Sequence, residues 1–464
     1  MDGGLEALFR PRTVALVGAS ANPAKLSNVA LRNLLRGQFK TYPVNPREEE
    51  ILGVKCYHAI SDIPEKVDLA IISLPAKAAV ESARECATAS VRAVIVTSSG
   101  FKETGPEGAS LERDLTAALQ GSGTRLLGPN TLGILVPSYG LDTLFIPVEK
   151  SRRPGAGPIA MFSQSGAVSV AFLERAEAAG LGVSACVGLG NKADIDENEL
   201  LEHFGSDPST ECIAVYLESF SDGREFMEVA GKVSCSKPIV LLKSGRTESG
   251  SLAASSHTGA LAASSDRLVD GALRQAGVVR VYDEEELLDI AKVMAYIGHI
   301  EGDRICVVAS AGGFGVIATD LVESKEHGAG LRMARLAEET KRELAEVMPA
   351  FSSVRNPVDL TAAVTDGMYD AVLGILRKDD GIDGIMMSLE LQPPSITDGL
   401  VDVAARHSGG RGPPIVISAF GGDRTSGLLH ELEKRRVVAY PTIWRAVRAL
   451  GALAERGTYL RRKK

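Results

Sequence analysis

The stretch 244–265 reads SGRTESGSLAASSHTGALAASS, and one imidazole, His257, sits in its middle. A neutral imidazole is a nucleophile near neutral pH and can carry a phosphoryl group covalently. The flanking Ser, Gly and Thr residues favour turns and loops. Gly245, Gly250 and Gly259 would let such a loop change its backbone angles. Two readings stand: a mobile loop that presents His257 as a phosphoryl carrier, or a surface linker with an incidental histidine.

Other residues could serve the same chemistry. Glu218 ends an apolar, strand-like run at Cys212–Leu217. Such a carboxylate is either solvated or accepts a hydrogen bond from one imidazole nitrogen, leaving the other nucleophilic. Ser163, Gln164, Ser165 and Gly166 join the apolar run Ile159–Phe162 to a helical pattern. A strand, a small turn and a helix start make an anion site, because free amides and the helix dipole point one way. A plain serine N-cap has the same pattern. Ser310, Gly312, Gly313 and Gly315 repeat that chemistry after the run Arg304–Ala309. The turn Asn356–Thr361 reads as a structural bend.

These residues need a scaffold that gathers them. Between residues 1 and about 140, apolar runs at Thr13–Val17, Thr41–Val44, Leu69–Ser73 and Ala93–Thr97 alternate with helical patterns. That alternation predicts a parallel sheet with right-handed crossovers, whose ligands bind at the carboxyl ends of the strands. The strand ends here are Gly18-Ala19-Ser20, Val44-Asn45-Pro46, Ser73-Leu74-Pro75, Ser98-Ser99-Gly100 and Gly128-Pro129-Asn130. Each offers backbone amides or small hydroxyls where a phosphate or pantetheine chain could lie. The dinucleotide fingerprint GxGxxG is absent, and the second strand ends on Asn45-Pro46-Arg47 rather than on an acid. Lys25 and Arg47 would suit the extra phosphate of coenzyme A (CoA) better than the ribose of NAD.

A chain of 464 residues exceeds a single core. It divides into 1–140, 150–298 and 299–464, with a Pro/Gly-rich linker near residue 151. A net charge of -8 argues against nucleic acid or an anionic membrane as the main partner. Six cysteines, none in a CxxC pair, predict a reduced cytoplasmic protein without a metal site. The N-terminus MDGGLEALFRPR has no signal core, and no apolar run would span a bilayer.

Together, the motifs resemble one family. They are GAS (18–20) with Lys25, SGFKE (99–103), GPN (128–130), SQSG (163–166), Glu218, and SHTGA (256–260) shortly after KSGR (243–246). The chain resembles the alpha subunits of ADP-forming acetyl-CoA synthetases, relatives of succinyl-CoA synthetase. The resemblance implies three α/β, doubly wound parallel-sheet domains: a Rossmann-like one that binds CoA and two flavodoxin-like ones. It implies that His257 is phosphorylated and oriented by Glu218. The turns at Ser163–Gly166 and Gly312–Gly315 would start the two helices that hold phosphate. No ATP-grasp module is present, so ADP or ATP with Mg²⁺ would bind a separate beta subunit in an α2β2 assembly. Leu26-Ser27, Thr131 and Ser219 depart from the family's usual glycine, cysteine and glycine. A succinyl-CoA synthetase-type alpha subunit is the nearest rival, and it usually lacks the third segment. A non-catalytic CoA-sensing subunit is the other.

Overall fold

The computed structural model describes residues 3–258 and 265–463. The chain forms two compact units. One comprises Met1–Ala178 with Gly182–Leu287, the other Ala179–Leu181 with Leu288–Lys464.

The first unit holds two sheets. In the first sheet the order is Lys40–Val44, Thr13–Val17, Leu69–Ile72, Ala93–Val96, Arg125–Leu127, all parallel. Strands covered on both faces read as continuous apolar runs rather than as alternation. Thr13–Val17, Leu69–Ile72 and Ala93–Val96 are accordingly buried along their whole length. The chain reverses its direction of winding between Thr13–Val17 and Leu69–Ile72, which makes that gap the switch point of the sheet.

The second sheet has the order Val278–Val281, Ile239–Lys243, Cys212–Leu217, Ala156–Ser163, Val183–Gly188, Ile134–Val136, Leu141–Asp142. Its first five strands are parallel, and its last two form an antiparallel edge. Ile134–Val136 falls at the end of the first sequence segment and Leu141–Asp142 just beyond it, yet both pair with the second sheet. The reason is local: the Gly188 amide donates to Gly133 O at 2.8 Å, and Thr131 Oγ1 donates to Gly188 O at 2.6 Å. One apolar cluster runs from Leu16 and Ile71 of the first sheet to Phe162, Val215 and Leu241 of the second. That shared core explains why the two sheets form one unit.

The second unit repeats the plan. Its parallel order is Arg332–Met333, Arg304–Ala309, Gly384–Leu389, Ile415–Ala419, Ala439–Tyr440, with Val358–Asp359 also on Arg304–Ala309. Asn356 makes the bend expected of it: its Oδ1 accepts from Val307 N, and its Nδ2 donates to Ile305 O and Ala334 O. Among the described residues no helix is long and apolar enough to cross a membrane.

Candidate active site

The carboxyl edge of the second sheet gathers three sequence motifs. Ala156–Ser163 ends at the SQSG turn, Cys212–Leu217 ends at Glu218, and Ile239–Lys243 leads into the His257 stretch. These strands are neighbours in the order Ile239–Lys243, Cys212–Leu217, Ala156–Ser163.

The stretch read as a loop is helical over Glu248–Thr258, which corrects that expectation. Thr247 starts the helix: Gly250 N donates to its Oγ1 at 3.0 Å, and Ser251 N to its carbonyl at 2.8 Å. Glu248 in the first turn and Leu252-Ala253-Ala254 beyond it favour the helical state. Gly245, with φ of 73°, breaks the chain between strand and helix. The backbone of His257 belongs to the last turn; its side chain and residues 259–264 lie outside the described residues.

Glu218 stands on a braced loop. Gln164 Oε1 accepts the amides of Glu218 at 2.6 Å and Ser219 at 2.9 Å, and its Nε2 donates to Ser219 Oγ at 3.2 Å. Lys243 Nζ donates to Glu218 O at 2.6 Å. Lys192 Nζ donates to Ser219 O at 2.9 Å and pairs with the fully buried Glu197 at 2.8 Å. Glu197 Oε1 in turn accepts Ser221 N at 2.5 Å. The Tyr216 hydroxyl lies 3.3 Å from Glu218 Oε1 and 3.0 Å from Ser244 Oγ. Burial, with the Arg280 guanidinium nearby, pushes Lys243 down to about 8.

The SQSG turn divides its labour. The Ser163 hydroxyl is fully buried, donates to Ser165 O at 2.8 Å and accepts Ser165 N at 3.0 Å. Ser163 and Gln164 therefore spend their polar atoms on the scaffold. Ser165 and Gly166 stand at the start of helix Gly166–Ala178, where the amides of Gly166 and Ala167 have no intrahelical carbonyl to bond. In the second unit Gly312 and Gly313 are exposed at the start of helix Gly312–Glu323. Gly315 does different work: its amide bonds Ala311 O, and a Cβ there would meet Pro357 at 3.5 Å. It packs the helix and does not face outward.

The carboxyl edge of the first sheet gathers the remaining candidates. Gly18, with φ of 84°, lies so close to the next strand end that a Cβ would stand 2.6 Å from Ser73 O. Val44 O accepts the amides of Gly18 and Ala19, and Asn45 Nδ2 donates to Ala19 O at 2.7 Å. Asn28 Nδ2 holds Ser20 O at 2.8 Å. Lys25 is exposed at the N-cap of helix Leu26–Leu34, and Pro75 holds the same position before Ala76–Thr88. The Ser98 hydroxyl is taken by Leu74 O, and Asn130, with φ of 59°, donates its amide to Ser98 O. Pro46, Ser99 and Gly100 complete the rim. Glu103 of SGFKE folds the loop onto itself by accepting Gly100 N at 2.6 Å and Phe101 N at 3.1 Å.

Asn191 ties the two carboxyl edges together. Its Nδ2 donates to Glu103 Oε2 and Glu112 Oε2, both at 2.7 Å, and its amide donates to Pro129 O at 2.8 Å. Sequence reasoning did not select Asn191, Tyr216 or Lys192, and it named Lys243 only as the first residue of KSGR. Only Tyr216 carried a local signal, since it precedes Glu218 by two residues and so shares its side of the strand line.

Three family profiles match the chain in order. They are a CoA binding domain over residues 12–137, a succinyl-CoA ligase like flavodoxin domain over 156–294 and a Ligase-CoA domain over 305–458. The chain is 38% identical to the acetate–CoA ligase (ADP-forming) I subunit alpha of Pyrococcus furiosus, over 97% of each chain. It is 40% identical to acetate–CoA ligase (ADP-forming) I of Archaeoglobus fulgidus, but covers 55% of that longer protein. Its fold matches the dinucleotide forming acetyl-coenzyme A synthetase 1 of Ca. Korarchaeum cryptofilum in complex with phosphate and ADP. That match has a TM-score of 0.90 and 34% identity, over 99% of both chains.

Proposed function

The chain belongs to the ADP-forming acetate–CoA ligase family, and from that premise we propose how its residues share the work. It acts as the alpha subunit of an ADP-forming acyl-CoA synthetase, an acid–thiol ligase. Acyl-CoA, ADP and phosphate are converted to carboxylate, ATP and CoA, and back. CoA lies along the carboxyl edge of the first sheet, over Gly18–Ser20, Val44–Pro46, Ser73–Pro75, Ser98–Gly100 and Asn130, with Lys25 toward its phosphates. Phosphate sits at the start of helix Gly166–Ala178 and attacks the thioester carbonyl. The C–S bond breaks, CoA leaves as the thiolate, and an acyl phosphate forms. An imidazole nitrogen of His257 then attacks phosphorus, the P–O bond to the acyl group breaks, and the carboxylate leaves. Glu218 accepts a hydrogen bond from the other nitrogen and stabilises the developing positive charge. The phosphoryl group finally passes to ADP.

The observation that carries this reading is the braced Glu218, one strand over from the root of the His257 segment. The backbone that carries this carboxylate is held by Gln164 and Lys243, and the Tyr216 hydroxyl reaches the carboxylate itself, so less orienting is left for the reaction. The turn at Gly312 and Gly313 offers a second set of helix-start amides to an anion. ADP and Mg²⁺ are held by a separate ATP-grasp beta subunit, in an α2β2 assembly. The three domains keep the limits 1–140, 150–298 and 299–464, and the protein works in the cytoplasm. The reconstituted pair should form ATP from ADP, phosphate and acetyl-CoA. Turnover unchanged in His257→Ala would overturn the relay.

A further inference from the structure

The turn after strand Val183–Gly188 belongs to the second sheet, yet it leans on the rim of the first. Asn191 is 6% exposed and directs every polar atom to that rim. Its Nδ2 donates to Glu103 Oε2 and Glu112 Oε2, both at 2.7 Å, and its Oδ1 accepts Asn130 Nδ2 at 3.4 Å. Its amide donates to Pro129 O at 2.8 Å, and its carbonyl accepts Lys102 Nζ. The turn itself has little freedom. A Cβ on Gly190 would stand 2.2 Å from Pro129 O, and Lys192 holds a φ of 57°. The buried ion pair of Lys192 with Glu197 fixes its far side.

Two carboxylates thus share one amide nitrogen. Like charges so close repel unless donors stand between them. Asn191 supplies the donors, and Lys102 Nζ, 3.2 Å from Glu112 Oε1, supplies an opposite charge. The other oxygen of Glu103 does the outward work: Oε1 accepts the amides of Gly100 and Phe101 and so shapes the turn Ser98–Gly100. Burial would raise the Glu103 carboxyl, but hydrogen bonds from Asn191, Gly100 and Phe101 outweigh it and hold the group below its ordinary value. We propose that Asn191 is a positioning residue for the CoA thioester: by bridging Glu103 and Glu112 it holds the rim turn in the shape the ligand meets. This rests on the reading that lays CoA along the first carboxyl edge. A turn held ready before binding removes an ordering cost from binding. A residue of the ligase segment thereby sets the affinity of the CoA-binding one.

A plain packing tie would need only the shape of asparagine, whereas this role needs its two N–H donors. Asn191→Asp keeps the shape, removes the donors and sets a third carboxylate against Glu103 and Glu112. Glu103 is then driven off the Gly100 and Phe101 amides, and the rim turn loosens. Asn191→Ala removes the donors without adding a charge, so the two carboxylates repel less strongly than three. Glu112→Gln in either background takes away one charge and returns an amide donor to the cluster.

The test is calorimetric titration of CoA into the full chain, with thermal midpoints, beside steady-state kinetics of the reconstituted pair in acetyl-CoA. Asn191→Asp should weaken CoA binding roughly tenfold or more, and Asn191→Ala by less. KM for acetyl-CoA should rise in step, while kcat falls far less. Adding Glu112→Gln should recover most of the lost affinity. The proposal is overturned if a folded Asn191→Asp binds CoA as tightly as the wild type, if the loss falls on kcat instead of KM, or if Glu112→Gln recovers nothing. Should Asn191→Asp fail to fold, Asn191→Ala with and without Glu112→Gln decides by the same measures. A wild type that binds no CoA overturns the underlying reading and this inference with it. Wild-type binding with unmoved variants overturns the inference alone.

Discussion

Gln164 Oε1 accepts the backbone amide of Glu218 at 2.6 Å. A residue of the phosphate turn thus fixes the backbone of the residue whose carboxylate is assigned to the histidine. Glu218→Gln keeps the backbone bond and removes the charge. Phosphorylation of His257 should fall on the order of 100-fold or more, with the thermal midpoint little changed. A stopped-flow phosphorylation rate equal to wild type would sink that role for Glu218.

Gln164→Ala attacks the same contact from the other side. It leaves two amides without their acceptor, at a cost of about 1–3 kcal/mol. Both the thermal midpoint and the phosphorylation rate should drop. A loss of rate alone would mean that Gln164 touches phosphate directly.

Gly18→Ala tests the first sheet. Its positive φ and the 2.6 Å approach to Ser73 O leave no room for a methyl group. The strain is about 1–2 kcal/mol before any ligand is considered. Calorimetric titration should show CoA affinity reduced tenfold or more, roughly. Unaltered affinity would place CoA away from this turn.

Glu390 predicts an acid-side optimum of stability. Its folded pKa is raised from the ordinary 4.5 to about 7, so between those values the folded chain holds a proton that the unfolded chain releases. Its contribution is full below the unfolded value and is lost as pH rises through about 7. Glu390→Gln should therefore gain relative to wild type between pH 5 and pH 8, by about 2 kcal/mol. Thermal melts of both proteins at the two pH values measure it, and a gap that does not widen with pH refutes the shift.

Much of this was legible in the sequence because the strands are buried on both faces. Thr13–Val17 and Leu69–Ile72 carry unbroken apolar runs that admit few other structures. The strand-end turns were legible for a second reason, since Gly18 sits at a backbone angle that favours glycine. Two kinds of feature escaped. The helix Glu248–Thr258 was hidden by its serines and Gly250, although Ala253 and Ala254 favour it. Asn191, Lys192 and Lys243 escaped because each also bonds a partner 25 to 89 residues away. Local pattern cannot register such a partner, and only the assembled sheets bring it near.

The central claim is that His257 carries the phosphoryl group. The full chain, mixed with acetyl-CoA, phosphate and Mg²⁺, can be read by intact-protein mass before and after acid, beside His257→Ala. The account predicts one acid-labile phosphoryl adduct on the wild type, none on the variant, and CoA binding retained by both. No adduct on the wild type even with the beta subunit present, or the same adduct on the variant, would contradict it.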